Sequence, residues 1–343
     1  MNPSTRIPPL LQPYITLPRA DAQLLVTSTL GASANWLLVR ILCDALGSGS
    51  AQDGGHNVVL VSWMRDYAFW RLEARKGAGL DLERLRREKR VVFVDGLGGL
   101  VMGGERDAQM QTSQAHTGLL PARTTPVADP PQRTGNMLPA RGPPGRAVPA
   151  RGPPAPTQPA RSQTAGDLTL TSLDLAHLKD TLARAVTSLS ALTTTRRTLL
   201  ILDSPDAYLA LSSTPTSSFV SLLLQLHTLP GVSHILTHLH ADTPLLSPSA
   251  PAQPLEISQF NLLTKIAHMS ARLIGTRVLD TGVARDVSGV VRVTEQRTGW
   301  QDLGLEEEGT STEDDAGKGK EFLYQIKGDG SVKVFERGAG GES

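Results

Sequence analysis

At 343 residues, the chain is long enough for two average domains or for one large α/β domain that carries an insertion. Apolar residues make up 39% of it and aromatics 4%, while 32 Gly and 24 Pro together form about a sixth, more than a compact domain uses. The formal net charge of +1 excludes a strongly basic or acidic molecule, so any polyanion must be met by a local patch.

Cys43 is the single cysteine, which excludes an intramolecular disulfide and thiolate metal clusters. It lies in an apolar helical pattern, which predicts a buried thiol. The N-terminal stretch MNPSTRIPPLLQPYI has neither the charged leader nor the unbroken apolar stretch of a signal peptide. No window approaches the ~18 consecutive apolar residues of a membrane span. A soluble protein of the cytoplasm, or of both cytoplasm and nucleus, is expected.

Leu24–Thr27 (LLVT) is a short apolar run that ends in the small polar stretch Ser28–Ser33. From Asn35 the spacing turns helical, with Gly47 closing the helix. Val58–Trp63 (VVLVSW) is rich in β-branched residues and fits a buried parallel strand. Asp66–Lys76 predicts an amphipathic helix with Asp66 near its start and Gly77 as its stop. A charged helix around Leu80–Lys89 leads into the strand Val91–Val94. This alternation of strand and helix is the pattern of a parallel sheet covered by helices.

Regularity stops near Gly103. Residues 103–166 hold few large apolar side chains, and PAR recurs at Pro121, Pro139, Pro149 and Pro159. Such a segment buries too little apolar surface to offset its ordering entropy, so a disordered insertion is expected. Leu173–Leu192 and Ser217–Leu229 then read as helices, and Thr198–Leu202 and Ser233–Leu239 as strands. Thr243–Pro254, with four prolines, reads as a loop, and a helix follows near Phe260–Ala267. Leu273–Leu279, Val287–Glu295, Phe322–Lys327 and Ser331–Glu336 look like strands, the last pair joined by the tight-hairpin signal Gly328-Asp329-Gly330. Glu306–Lys320 is acidic, then Gly/Lys-rich, and reads as a flexible loop. The expected divisions are an extension (1–20), two parts of one α/β domain (21–102 and 167–300) around the insertion (103–166), an acidic loop (301–320), and a C-terminal hairpin and tail (321–343).

A strand that runs into a small-residue loop and then a helix is where a GxxxxGK[ST] motif holds phosphate. Here Ser28 and Ser33 stand where glycines are needed, Ala34 replaces the Lys, and Asn35 replaces the Ser/Thr. The charge and the metal ligand are both missing. A second nucleotide element, an apolar strand ending in an acid, is matched in shape by TLLIL-Asp203. A structural or interface role for Asp203 is the favoured reading, and Asp66 reads as a helix cap.

His234, His238 and His240 suggest a metal site, with His238 and His240 on one face of a strand and Asp242 as the nearest carboxylate, but ordinary strand histidines account for them better than a metal does. No GxSxG elbow or Ser/His/Asp arrangement stands out, and Leu97–Gly104 is Gly-rich without opening a helix. No catalytic residue, cofactor or metal is assigned. Arg123, Arg133, Arg141, Arg146, Arg151 and Arg161 make the insertion mildly basic, with Asp129 the only acid in that span. Sparse charge and the absence of aromatics favour a solvated linker over an RNA-binding segment.

The degenerate phosphate loop, the strand end LLILDSPDAYL (Leu199–Leu209) and RVVFVDGLGGL (Arg90–Leu100) before a variable insert together resemble the sixth-subunit family of the Elongator complex, in a fungal form. The resemblance spans roughly residues 10–300 and rests on element order and apolar strings. It implies a RecA-like fold: a mostly parallel sheet flanked by helices, here with C-terminal antiparallel hairpins and the insertion. It also implies a non-catalytic subunit that joins the fourth and fifth Elongator subunits in a hetero-hexameric ring. That ring joins the catalytic part of Elongator, binds tRNA and supports modification of the wobble uridine. The alternatives are an atypical ATPase with a divergent phosphate site and a catalytically dead recombinase-like DNA-repair protein.

Overall fold

A 3-10 turn (Pro9–Leu11) and α1 (Gln12–Ile15) precede β1 (Ala22–Ser28), α2 (Asn35–Gly47), β2 (Asn57–Ser62), α3 (Tyr67–Ala78), α4 (Leu82–Arg87) and β3 (Val91–Asp95). Next come β4 (Asp167–Thr169), α5 (Leu175–Ser190), β5 (Thr198–Asp203), α6 (Pro205–Leu211), α7 (Thr216–His227) and β6 (Val232–His240). The chain continues through α8 (Thr243–Leu246), α9 (Pro254–Met269), β7 (Ser270–Arg277), β8 (Gly289–Glu295), β9 (Lys320–Ile326) and β10 (Val332–Glu336). These elements come from a computed structural model that describes residues 7–47, 55–100, 167–190, 196–247, 249, 251–282, 284, 286–296 and 319–337. All of them belong to one unit, Met1–Glu105 with Ala165–Ser343. The insertion and most of the acidic loop lie outside the described residues.

The strands form one sheet in the order β10-β9-β8-β7-β1-β6-β5-β2-β3-β4. Pairing is parallel from β7 to β4 and antiparallel from β7 through β10. β2 and β5 are buried at every position, which explains their unbroken apolar sequences: helices cover both faces. Alternate side chains feed two cores. Leu24, Val26, Val58, Leu60, Leu199 and Ile201 pack under α2, α3 and α4. Leu25, Val59, Val61, Leu200 and Leu202 pack under α5, α7 and α9 on the opposite face.

Local boundaries follow capping chemistry. Asp66 accepts the Phe69 N–H at 2.9 Å and caps α3. The helix runs through Gly77, contrary to expectation, and ends at Gly79, whose φ of 64° gives the left-handed cap. Residues 98–100 are helical, correcting the reading of Leu97–Gly104: Asp95 accepts N–H bonds from Leu97 and Gly98. The stretch Thr243–Pro254 is not a plain loop either. Pro244 sits in the first turn of α8 and Pro254 opens α9, where its missing N–H costs nothing. Among the described residues, no helix is long and apolar enough to cross a membrane.

Candidate functional site

From β1 the chain crosses past β6 and β5 to β2 through α2, while from β6 it returns past β1 to β7 through α9. Those helices cover opposite faces, so the carboxyl ends of β1 and β6 form a topological switch point, the usual place for a ligand crevice in such sheets. Register decides which side chains meet there. Asp203 pairs with His238 on one side and Ser62 on the other, and Ser28 pairs with His240.

These strand ends carry a connected polar cluster. Ser28 Oγ lies 2.9 Å from His238 Nε2, and His238 Nδ1 lies 2.8 Å from Asp203 Oδ1. Ser62 Oγ donates to Asp203 Oδ2 at 2.6 Å. Arg65 Nη1 spans both carboxylate oxygens at 2.9 and 3.0 Å, and Ser204 Oγ reaches Oδ1 at 3.4 Å. Asp203 and His238 are fully buried. Burial pushes the Asp203 carboxyl up, but the His238 hydrogen bond, the Arg65 guanidinium and the Ser62 hydroxyl together hold it below its ordinary value.

The cluster corrects the expectation that no Ser/His/Asp arrangement exists: Ser28, His238 and Asp203 form one. With Nδ1–H on the carboxylate, Nε2 accepts the Ser28 hydroxyl, which is the connectivity of a nucleophile relay. Its burial is that of a strut, because Ser28 is only 3% exposed. The cluster ties together the ends of β1, β6, β5 and β2. A carboxylate offers about four acceptor positions, and those of Asp203 are spent on protein donors. A metal ion at Asp203 would have to displace Arg65.

The degenerate phosphate loop is closed in a similar way. Thr29–Ala32 is a tight turn, with Gly31 at φ 86° and the Ala32 N–H on Thr29 O at 2.9 Å. The Leu30 N–H donates to Asp242 Oδ1 at 2.6 Å, so a carboxylate of the protein sits where backbone N–H groups would cradle a phosphate. Ser33 Oγ accepts the Asn35 N–H at 3.3 Å, and Ala34 is fully buried. The position of the missing lysine therefore points into the core.

The remaining candidates are engaged elsewhere. His240 Nδ1 lies 2.7 Å from Asp206 Oδ2, and that hydrogen bond raises the imidazole above its ordinary value. His234 sits near the opposite end of β6, with Nε2 3.0 Å from Pro18 O. Burial, joined by the nearby His56, depresses it to about 4. Cys43 is buried, as expected. Sequence reading missed Ser62 and Arg65. The available signal was a polar residue ending each of several apolar strands, with an arginine just after one of them. No family model and no curated protein matches the chain, so these residues have to be interpreted by their own geometry.

Proposed function

We propose that the chain is a RecA-like subunit without phosphate chemistry of its own, acting in an Elongator-type hetero-hexameric ring with the fourth and fifth subunits. The observation that carries this reading is that Asp203 is engaged inside the protein, its charge met by Arg65 and its other acceptor positions taken by Ser62 and His238. A strand-end acid that orients Mg²⁺ has to face the nucleotide; this one faces a guanidinium. Two further features support the reading. The strand that feeds the loop, β1, is separated from the Asp203 strand, β5, by the single strand β6. The loop itself presents an N–H to Asp242 in place of a phosphate. Such a domain retains a sheet, helical faces and edge loops with which to build a ring.

In this reading the ring binds tRNA and supports wobble-uridine modification, and this subunit contributes shape. The test is mass spectrometry of proteins that co-purify with a tagged copy expressed at native level. Recovery of the two partner subunits supports the assignment. Recovery of DNA-repair proteins, or of no partner, rejects it.

The Ser28–His238–Asp203 distances favour one second reading, a serine hydrolase. Incubation with an alkyl fluorophosphonate and peptide mapping tests that reading. Modification of Ser28 would favour it over the ring subunit.

A further inference from the structure

The junction between β5 and α6 combines backbone strain with a nearly buried carboxylate. Ser204 is fully buried, and its φ of 61° lies in the left-handed region that side chains disfavour. Its backbone N–H donates to His238 O at 3.0 Å, and its Oγ reaches Asp203 Oδ1 at 3.4 Å. Two residues on, Asp206 stands in the first turn of α6, a helix of seven residues. Tyr208 anchors the middle of that helix, its hydroxyl donating to Leu173 O at 2.7 Å. Asp206 fastens the junction itself to the end of β6. Its Oδ2 accepts the Nδ1–H of His240 at 2.7 Å and the His240 backbone N–H at 3.2 Å.

This fastening has one cation. The Asp206 side chain is 11% exposed, and its Oδ1 is buried and accepts no hydrogen bond from the described residues. Among those residues only His240 forms an ion pair with it, Arg65 being committed to Asp203. A carboxylate only accepts, so Nδ1 keeps its proton in both states and the ring titrates at Nε2. The imidazole is 30% exposed, which gives water access to it. The charged and titratable groups around it are Asp206 from α6, Arg65 from the β2–α3 connection, Asp242 beyond β6, and the His238 ring at 5.5 Å. α9 contributes the neutral Gln259, whose amide donates to His240 O at 2.6 Å, and β1 contributes Ser28 as the register partner.

We propose that the His240–Asp206 pair is a pH-sensitive latch on the start of α6: protonated, it holds the strained junction closed beside the Asp203 cluster, and deprotonated, it releases the junction. Loss of the proton keeps the hydrogen bond but removes the positive charge. A nearly buried carboxylate with an unpartnered oxygen then has to recover water. Opening the Ser204–Asp206 turn admits that water and lets Ser204 leave its left-handed conformation. The Asp206 hydrogen bond raises the imidazole above its ordinary value against the opposing effect of burial; the Asp206 charge and Asp242 assist, and Arg65 opposes. A group raised in this way stabilises the closed form below its ordinary value, about 6.5, and loses that contribution as pH rises through the raised one. The closed junction is therefore the acid form. The latch acts within one chain and is independent of the ring assignment.

Hydrogen exchange of the full chain tests it, read by mass spectrometry on a peptide covering 203–212 with labelling times scaled to the intrinsic rate at each pH. Protection there is expected to fall severalfold as pH rises past about 6.5, while a peptide from β2 stays unchanged. In an NMR titration of the parent, the His240 imidazole should share its midpoint with that step, a readout that needs no variant. Asp206→Asn keeps an acceptor for the Nδ1–H and removes the buried charge, so the junction should stay protected across the range. His240→Gln keeps a donor but supplies no charge, so the junction should exchange fast at every pH. Protection independent of pH in the parent would overturn the proposal, as would a step away from the His240 midpoint or the same step surviving in either variant.

Discussion

Replacing Arg65 with alanine tests whether the polar cluster is a strut. The substitution leaves a fully buried carboxylate on Asp203 without its cation. Breaking a buried pair from one side costs roughly 3–5 kcal/mol. The Arg65 side chain is 18% exposed, so water partly replaces it, and the His238 and Ser62 bonds remain. The expected loss is therefore discounted below that range, to about 2–3 kcal/mol. For a domain of this size that corresponds to a fall in melting midpoint of roughly 5–10 °C.

The assay is urea denaturation followed by tryptophan fluorescence. Trp63 is buried beside the cluster, with its backbone N–H on the Asp203 backbone carbonyl at 3.1 Å. The pH dependence has a definite sign. A carboxyl held below its unfolded value contributes stability above that value and loses it as pH falls through the lowered one. Without Arg65 the carboxyl is lowered less, so the variant should lose stability at a higher pH than the parent. The pair Arg65→Met with Asp203→Asn removes both charges and should recover part of the loss. A change below about 0.5 kcal/mol in Arg65→Ala, the scale of an ordinary surface substitution, would refute the strut.

Four further outcomes are expected. Ala34→Lys should lower the unfolding midpoint by an amount equivalent to about 2–4 kcal/mol, since residue 34 is fully buried, and should create no Mg²⁺-dependent ATP binding by titration. His234, depressed to about 4, is protonated more readily unfolded than folded, so stability should fall as pH drops from its ordinary value toward about 4. His234→Gln should flatten that slope in pH-dependent melts. Replacing residues 103–166 with a short Gly/Ser linker should leave the midpoint nearly unchanged, whereas a loss above ~2 kcal/mol would show that the segment packs. In a tRNA titration at near-physiological salt, the ring with its two partners should bind far more tightly than the lone chain, whose net charge of +1 supplies little field; equal affinities would reject the ring account.

Much of the fold was legible because the relevant physics is local. The runs at 58–63 and 198–202 declare strands buried on both faces, and β2 and β5 occupy nearly those bounds. Asp66 identified itself as a cap by preceding a helical pattern, and Gly328-Asp329-Gly330 as a hairpin by its turn chemistry. Gly77 and Gly79 could not be told apart in advance: only the chain geometry shows which of them takes a positive φ. The prolines of 243–254 pointed to a loop because proline both breaks helices and begins them.

The loss of Lys at Ala34 and of Ser/Thr at Asn35 is a fact of residue identity, and it was visible from the start. That Ala34 faces the core is not. The polar cluster was also invisible, because Ser28 and His238 stand 210 positions apart in the chain. They meet only because β1 lies beside β6, β6 beside β5 and β5 beside β2, in one particular register. A one-residue slip in that register would turn each of these side chains to the other side of the sheet. Local sequence determined the elements and the missing phosphate chemistry; long-range pairing alone decided that Asp203 is answered by Arg65 rather than left to face a ligand.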